Sequence, residues 1–287
     1  MKRSVMHFVT FVKKLLPQRK PTVYRILFRH SDFRQLPEEH QLFLIRLAHV
    51  ADDLRHVFYL CVAAERGTHL RSRDERKLAL HQLLFGVRLV YSILYEGWNV
   101  INSAWNREGL RTAWPWEPSH KAREGLSFLG RYFADENLSR TIRNRFGFHY
   151  DADQLREPLA RAPERTDEIM SGRQSGNIFY PFAEEIRSLA LLRAAVQQES
   201  GTLWDDNATD ANIRQAAIRL YQEYKPVHNA FDAFANDLLI KTVKSLPYKI
   251  EQFTPPHLTK FSEISPVLFV QEPTLDQARE ISSRVSS

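Results

Sequence analysis

Apolar residues recur along this chain at steps of three and four over long stretches, which predicts amphipathic helices rather than strands. From Glu38 to Arg66, residues Phe43, Leu47, Val50, Leu54, Val57 and Cys61 share one stripe, and Arg66-Gly67 supplies a stop. A second helix opens at Ser72-Arg73-Asp74-Glu75, where Ser72 and Glu75 match a capping box. Its stripe of Leu80, Leu83, Val87, Val90, Leu94 and Ile101 continues to Trp105. Two helices of this length with a short polar loop between them predict an antiparallel hairpin. Trp114-Pro115-Trp116-Glu117-Pro118 reads as a loop. A third helix comes next, from Ser119 to Ala134, with Leu126, Leu129 and Phe133 inward, and then a shorter one from Leu138 to Arg145. The passage 151–176 is polar and turn-rich and leads into Ser175–Tyr180, a candidate small hairpin. Helices resume at Phe182–Glu199 and at Asp210–Lys244, the latter with a kink expected at Pro226.

Proline placement supports this reading. None lies between Pro37 and Pro115 or between Pro181 and Pro226, and a proline inside a helix costs about 3 kcal/mol. No fixed-period repeat and no β-meander is found. The chain is therefore expected to be all-α, with a basic N-terminal arm over 1–36, a helical domain over 37–244, and an irregular, proline-containing tail over 245–287.

Composition changes the picture mainly through charge. The chain of 287 residues carries a formal +6, with 43% hydrophobic and 11% aromatic residues, which excludes wholesale disorder. The positive charge is concentrated in 1–36, where nine basic residues face one acid; the other 31 basic and 33 acidic residues leave the remainder slightly negative. The arm places Val5, Phe8, Val9, Val12, Leu15 and Leu16 on one side and lysines on the other. That pattern suits an anionic membrane, RNA phosphates, a partner subunit or simple solvation, and the sequence does not choose among them. Cys61 is the single cysteine, so a disulfide scaffold and a cysteine-based zinc site are excluded. Val5–Val12 is too short to span a bilayer and has no small-residue cleavage site after it, and Val57–Ala64 is shorter than a membrane span, so a soluble, cytoplasmic protein is expected.

The chemistry-bearing passage is Thr141-Ile142-Arg143-Asn144-Arg145-Phe146-Gly147-Phe148-His149-Tyr150-Asp151. Leu138–Tyr150 holds Arg140, Arg143 and Arg145 and no acid. Arginine holds a phosphate through two donors and stabilises charge developing on it. Histidine titrates near neutrality and can exchange a proton, and asparagine can orient a phosphate or a sugar hydroxyl. This set handles phosphate without a metal or cofactor. A histidine in such a place can also cap a helix or take part in nucleotide binding without hydrolysis.

Ile142–Asp151 resembles the signature of the HEPN superfamily, the all-helical domains of many prokaryotic toxins and abortive-infection proteins. Arg143, Asn144 and His149 fit its pattern of arginine, a polar neighbour and a histidine, with five residues between Arg143 and His149. Gly176–Glu185 is similar to the passage C-terminal to the motif in some members, and the resemblance covers Glu38 to about Glu199. It implies a HEPN-like bundle that dimerises and joins two motifs at a composite site. It further implies a metal-independent endoribonuclease acting on RNA, tRNA among the candidate targets, in phage defence or as a toxin, with an antitoxin or regulator as a further partner. Carried over, His149 would be the acid/base, Arg143 would bind the phosphate and Asn144 would orient it. Arg140, Arg145 and Glu96 are candidate substrate-binding residues. Glu96 can equally pair with an arginine such as Arg143. Some members of the superfamily are inactive scaffolds, which leaves a noncatalytic module binding nucleotide, nucleic acid or a partner protein as the alternative.

A competing set, His49, Asp53 and His56, lies at spacings of four and three on one helix face. Two imidazoles and a carboxylate can ligate a metal, while Asp52-Asp53 balancing Arg46 and Arg55 describes an ordinary solvated face. The Glu117-x-x-His120 pair contains Pro118 within a loop, which argues against a di-iron bundle.

Overall fold

The computed structural model describes residues 23–68, 72–147, 180–197 and 209–253, with short pieces at 155–156, 159–160 and 169. The arm's apolar stripe from Val5 to Leu16, His149, the Ser175–Phe179 part of the expected hairpin and the tail beyond 253 lie outside the described residues.

The chain is predominantly helical, as its periodicity predicts. Strand β1 (Val23–Phe28) leads into the short helix α1 (His30–Phe33) and then α2 (Glu38–Gly67). Helix α3 (Arg73–Val100) returns antiparallel and runs on as a π-helical stretch, Ile101–Arg107. The Ser72 hydroxyl accepts from the Glu75 amide at its start, the capping interaction expected there. After Gly109, whose φ of 80° needs a residue without Cβ, come α4 (Leu110–Ala113) and α5 (His120–Ala134). Beyond these lie α6 (Leu138–Ile142), a second π-helical stretch (Arg143–Gly147), α7 (Pro181–Gln197), α8 (Thr209–Ser245) with Pro226 inside it, and strand β2 (Tyr248–Phe253).

The main core forms where α2, α3, α5 and α8 meet. Trp105 sits between Phe43, Trp114 and Phe234, with ring centroids 6.0, 5.4 and 5.3 Å away. A Cβ on Gly97 would stand 2.8 Å from both Phe231 and Val50, so three helices approach closely there. Helix α5 is tied to α8 because Asp237 accepts from the Ser119 amide at 2.9 Å and pairs with Lys241 at 3.1 Å. Burial works against the Asp237 carboxylate, yet these donors hold its pKa below the usual range. A smaller cluster joins α6 and α7 to α3 and α8 through Tyr91, Leu138, Ile142, Phe146, Leu191 and Val196.

Two features depart from the sequence reading. The last residues of the arm and the first of the tail pair as an antiparallel ribbon, with Ile26 opposite Ile250 and Phe28 opposite Tyr248. One ribbon face carries Tyr24, Ile26, Phe28, Tyr248 and Ile250, and the other carries Arg25, Lys249 and Glu251. Arm and tail are therefore joined here. The second departure concerns membrane spans. By length and composition alone, Arg73–Arg107 qualifies as a crossing segment, but 61% of its most apolar window is buried in the bundle. It is a core helix.

Candidate functional site

The motif segment is held in place from three directions. Asn137 caps α6, its Oδ1 accepting from the Arg140 amide at 2.9 Å, while its Nδ2 donates to the carbonyls of Tyr132 and Asp135. Glu223 of α8 accepts from the Leu138 amide at 2.8 Å and from the Tyr132 hydroxyl at 2.5 Å. A carboxylate at a helix start satisfies an orphan amide and complements the helix dipole. Burial first, then the Glu223 carboxylate, pushes the Tyr132 hydroxyl well above its ordinary pKa, so it stays a donor.

At the other end, Arg187 of α7 donates through Nη2 to the carbonyls of Phe146 at 2.7 Å and Gly147 at 3.2 Å. These are end-of-helix acceptors that a guanidinium is well shaped to satisfy. Gly147 lies flat on α3, and a Cβ there would stand 2.6 Å from Ser92 Oγ. These contacts seat the end of the π-helical stretch, Phe146 and Gly147, on α3 and α7.

Between these anchors, Arg143 points outward and crosses to α3. Its Nε donates to Glu96 Oε1 at 2.9 Å, its Nη1 donates to Asn144 Oδ1 at 3.2 Å, and its guanidinium carbon lies 5.7 Å from the Tyr95 ring centre. The Asn99 amide donates to the other Glu96 oxygen at 3.3 Å. Nη2 of Arg143 has no hydrogen-bond partner among the described residues and stands ready for an incoming oxygen. Chemically the surface offers one oriented guanidinium edge, a neighbouring amide, and a carboxylate that fixes the guanidinium plane.

Arg140, also a sequence-derived candidate, turns away from Arg143, its Nη2 donating to the Phe133 carbonyl at 3.0 Å and its Nη1 pairing with Glu136 at 3.3 Å. Arg145 is exposed, with no ion-pair partner among the described residues. His149 lies outside the described residues, so the sequence-derived candidates seen together are Arg143 and Asn144 of the motif and Glu96 of α3. His49, Asp53 and His56 are all exposed on the outer face of α2. No group of three or more metal-ligating side chains is assembled among the described residues.

Sequence reasoning did not find Arg187, Glu223 or Glu184. Glu184 forms a two-pronged pair with Arg88, at 2.9 Å and 3.3 Å, and the Arg88 side chain is only 1% exposed. The signal for that pair was an arginine among apolar neighbours, Gly86-Val87-Arg88-Leu89-Val90. Nothing comparable marked Arg187 or Glu223, which act through main-chain groups distant in sequence.

A scan of family models finds no match to this chain, and searches of curated proteins and of solved structures find none either. The resemblance to HEPN domains therefore rests on the sequence motif alone.

Proposed function

We propose that this chain is a metal-independent endoribonuclease of HEPN type. The observation that supports this most is the Arg143 guanidinium. Glu96 and Tyr95 orient it, Asn144 flanks it, one of its edges is open, and it lies on a segment whose end, at Phe146 and Gly147, is held by Arg187 and Ser92. In this reading Arg143 binds the scissile phosphate and stabilises the charge that grows on it, while Asn144 orients it. His149 takes the proton of the RNA 2′-hydroxyl as that oxygen attacks the adjacent phosphorus, and a proton is returned to the departing 5′-oxygen. The products are a 2′,3′-cyclic phosphate and a 5′-hydroxyl. DNA is not a substrate because it lacks the nucleophile. A second copy of the chain brings a second motif to the composite site, and the setting is phage defence or toxin action, with an antitoxin or regulator as restraint.

Incubation of the full-length chain with total tRNA or synthetic RNA in EDTA tests this. Cleavage that leaves cyclic phosphate ends and is lost in His149→Ala and Arg143→Ala is the expected result. Absence of cleavage, or cleavage that survives in His149→Ala, overturns it. A second reading is a noncatalytic module that binds nucleic acid, nucleotide or a partner protein. It is favoured by the Glu96 carboxylate, which offsets the Arg143 charge at 2.9 Å. That reading predicts RNA or nucleotide binding without cleavage.

A further inference from the structure

Between α2, α3 and α8 runs a groove of about 540 Å³, none of whose lining residues belongs to the Arg143 site. Small-molecule sites span roughly 300–1,000 Å³. Three contacts fix how the helices run along it. Gly86 lies against Cys61, the Tyr91 hydroxyl donates to the Leu220 carbonyl, and Gly97 sits between Val50 and Phe231. Helix α2 therefore runs opposite to α3 and α8. Residues near 61–65 face those near 220 at one end, and residues 51–55 face 229–236 at the other.

This order sorts the lining into two compartments. One is apolar, with Phe58, Cys61, Val62, Leu83, Val87 and Val90. Burial pushes the Cys61 thiol up to about 12 and raises the Tyr224 hydroxyl, as expected of groups facing a low-dielectric space. Of the charged groups bordering this half, Glu65 is almost wholly buried, and the Lys225 ammonium sits 6.0 Å from the Tyr221 ring centre. The other compartment is polar, with Asp52, Arg55, His228, Asn229, Asp232 and Asn236. Arg55 pairs there with Asp52 at 2.8 Å, and His228 Nδ1 lies 3.5 Å from Asp232 Oδ2. Asn229 and Asn236 are the uncharged groups there, each offering a donor and an acceptor.

Shape narrows the occupant further. The lined stretch of α2, Ala51 to Glu65, is about 21 Å long at the helical rise. A groove of that length, apolar at one end and polar at the other, matches an extended hydrocarbon chain that carries a polar head.

We propose that this groove binds an uncharged single-chain amphiphile, its alkyl or isoprenoid chain along Phe58, Val62, Val87 and Val90 and its hydroxyl or amide head against Asn229 and Asn236. A fatty-acid anion fits worse, because the Asp52 and Asp232 carboxylates stand at the head end and the Arg55 guanidinium there is already paired with Asp52. The inference is independent of the ribonuclease reading.

Calorimetric titration of the full-length chain with 1-monolauroylglycerol, dodecanol and ionised laurate, all below micelle-forming concentrations, tests it. One-to-one saturation by the two neutral ligands, with laurate at least tenfold weaker, is expected. Val87→Trp, which fills the groove, should abolish saturation while far-UV circular dichroism stays unchanged. Photolabelling of the unaltered protein with a diazirine-bearing dodecanol provides a second readout that needs no variant, and label should map to peptides carrying 58–62, 83–90 and 220–228. Absence of one-to-one binding by either neutral ligand, laurate binding as tightly as they do, or label confined to other peptides overturns the proposal.

Discussion

Arg143 Nε donates to Glu96 Oε1 at 2.9 Å, joining the motif segment to the last turns of α3 across 47 positions of sequence. Both side chains are substantially solvated, 38% and 50% exposed, so the pair contributes little to stability, about 0–1 kcal/mol. Its consequence is orientation: the guanidinium plane is set by Glu96 and leaves Nη2 toward solvent.

Glu96→Gln tests that division of labour. Removing the carboxylate leaves the melting temperature essentially unchanged and strengthens RNA binding, because a negative charge next to the phosphate-binding cation is gone. Anisotropy titrations at two salt concentrations should show tighter binding and a steeper salt dependence than in the unaltered chain. Unchanged affinity and slope would mean that Arg143 does not contact phosphate.

The contact of Gly147 with Ser92 predicts a coupled pair. Gly147→Ala places a methyl group 2.6 Å from Ser92 Oγ, and that hydroxyl is itself committed to the Arg88 carbonyl at 2.8 Å. Gly147→Ala is expected to destabilise the fold by about 1–3 kcal/mol through overpacking. In the Gly147→Ala, Ser92→Ala double variant the nearest clash is removed, so part of that loss returns. Urea unfolding of all four proteins should give a non-zero coupling energy. Strict additivity of the two substitutions would show that Gly147 is not seated on Ser92.

Much of the bundle was legible because helical periodicity and caps are local. Ser72 caps where sequence alone places it, the third helix starts at Ser119 as read, and Phe43, Leu47, Leu54 and Val57 are buried as their stripe predicts. Val50 and Cys61 lie on the same stripe but are only partly covered, the residue Cys61 because the groove opens beside it. The ribbon was not legible. Val23–Phe28 and Tyr248–Phe253 are six residues each, lie more than 200 positions apart, and gain strand character from each other. Tyr24, Ile26 and Phe28 alternate with Arg25, and Tyr248 and Ile250 with Lys249 and Glu251, but alternation over so few residues does not name the distant partner each segment needs. The candidate site divides in the same way. Arg143, Asn144 and Glu96 were found as residue types in one short passage and on one helix face. Arg187 and Glu223 contribute by bonding main-chain groups, and any exposed arginine or glutamate looks alike before folding.

His40 provides a pH-dependent element in the core. It is 6% exposed, its ring lies tilted 4.4 Å from the Trp114 ring, and burial lowers its pKa while Glu39 opposes that shift. With the folded-state pKa below the unfolded value of about 6.5, both states are neutral at higher pH and the histidine has no linkage cost. As pH falls through about 6.5, the unfolded chain takes up the proton first, so stability declines with acidification. The decline ends once pH passes below the folded-state pKa. Urea midpoints measured across this window should fall in the unaltered chain and fall less in His40→Phe. Equal slopes in the two proteins would assign the acid sensitivity to other groups.

The Arg88–Glu184 pair makes the last prediction, and it separates net stabilisation from the cost of an unmatched charge. Arg88 is buried on α3 and Glu184 reaches it from the first turns of α7, with Ser188 Oγ also donating to the carboxylate at 3.4 Å. Removing one member of such a pair leaves a desolvated charge and costs about 3–5 kcal/mol, whereas replacing both with apolar side chains can be neutral or stabilising. Glu184→Leu alone should therefore lower the unfolding free energy strongly. Arg88→Met combined with Glu184→Leu should recover most of it, since Phe85 already packs against the guanidinium at 5.5 Å and offers an apolar surface to the methionine. Helix α7 also carries Arg187, so RNA cleavage or binding should drop in the single Glu184→Leu variant along with stability, and return in the double. A double variant less stable than the single would show that the ion pair stabilises the docking of α7 directly.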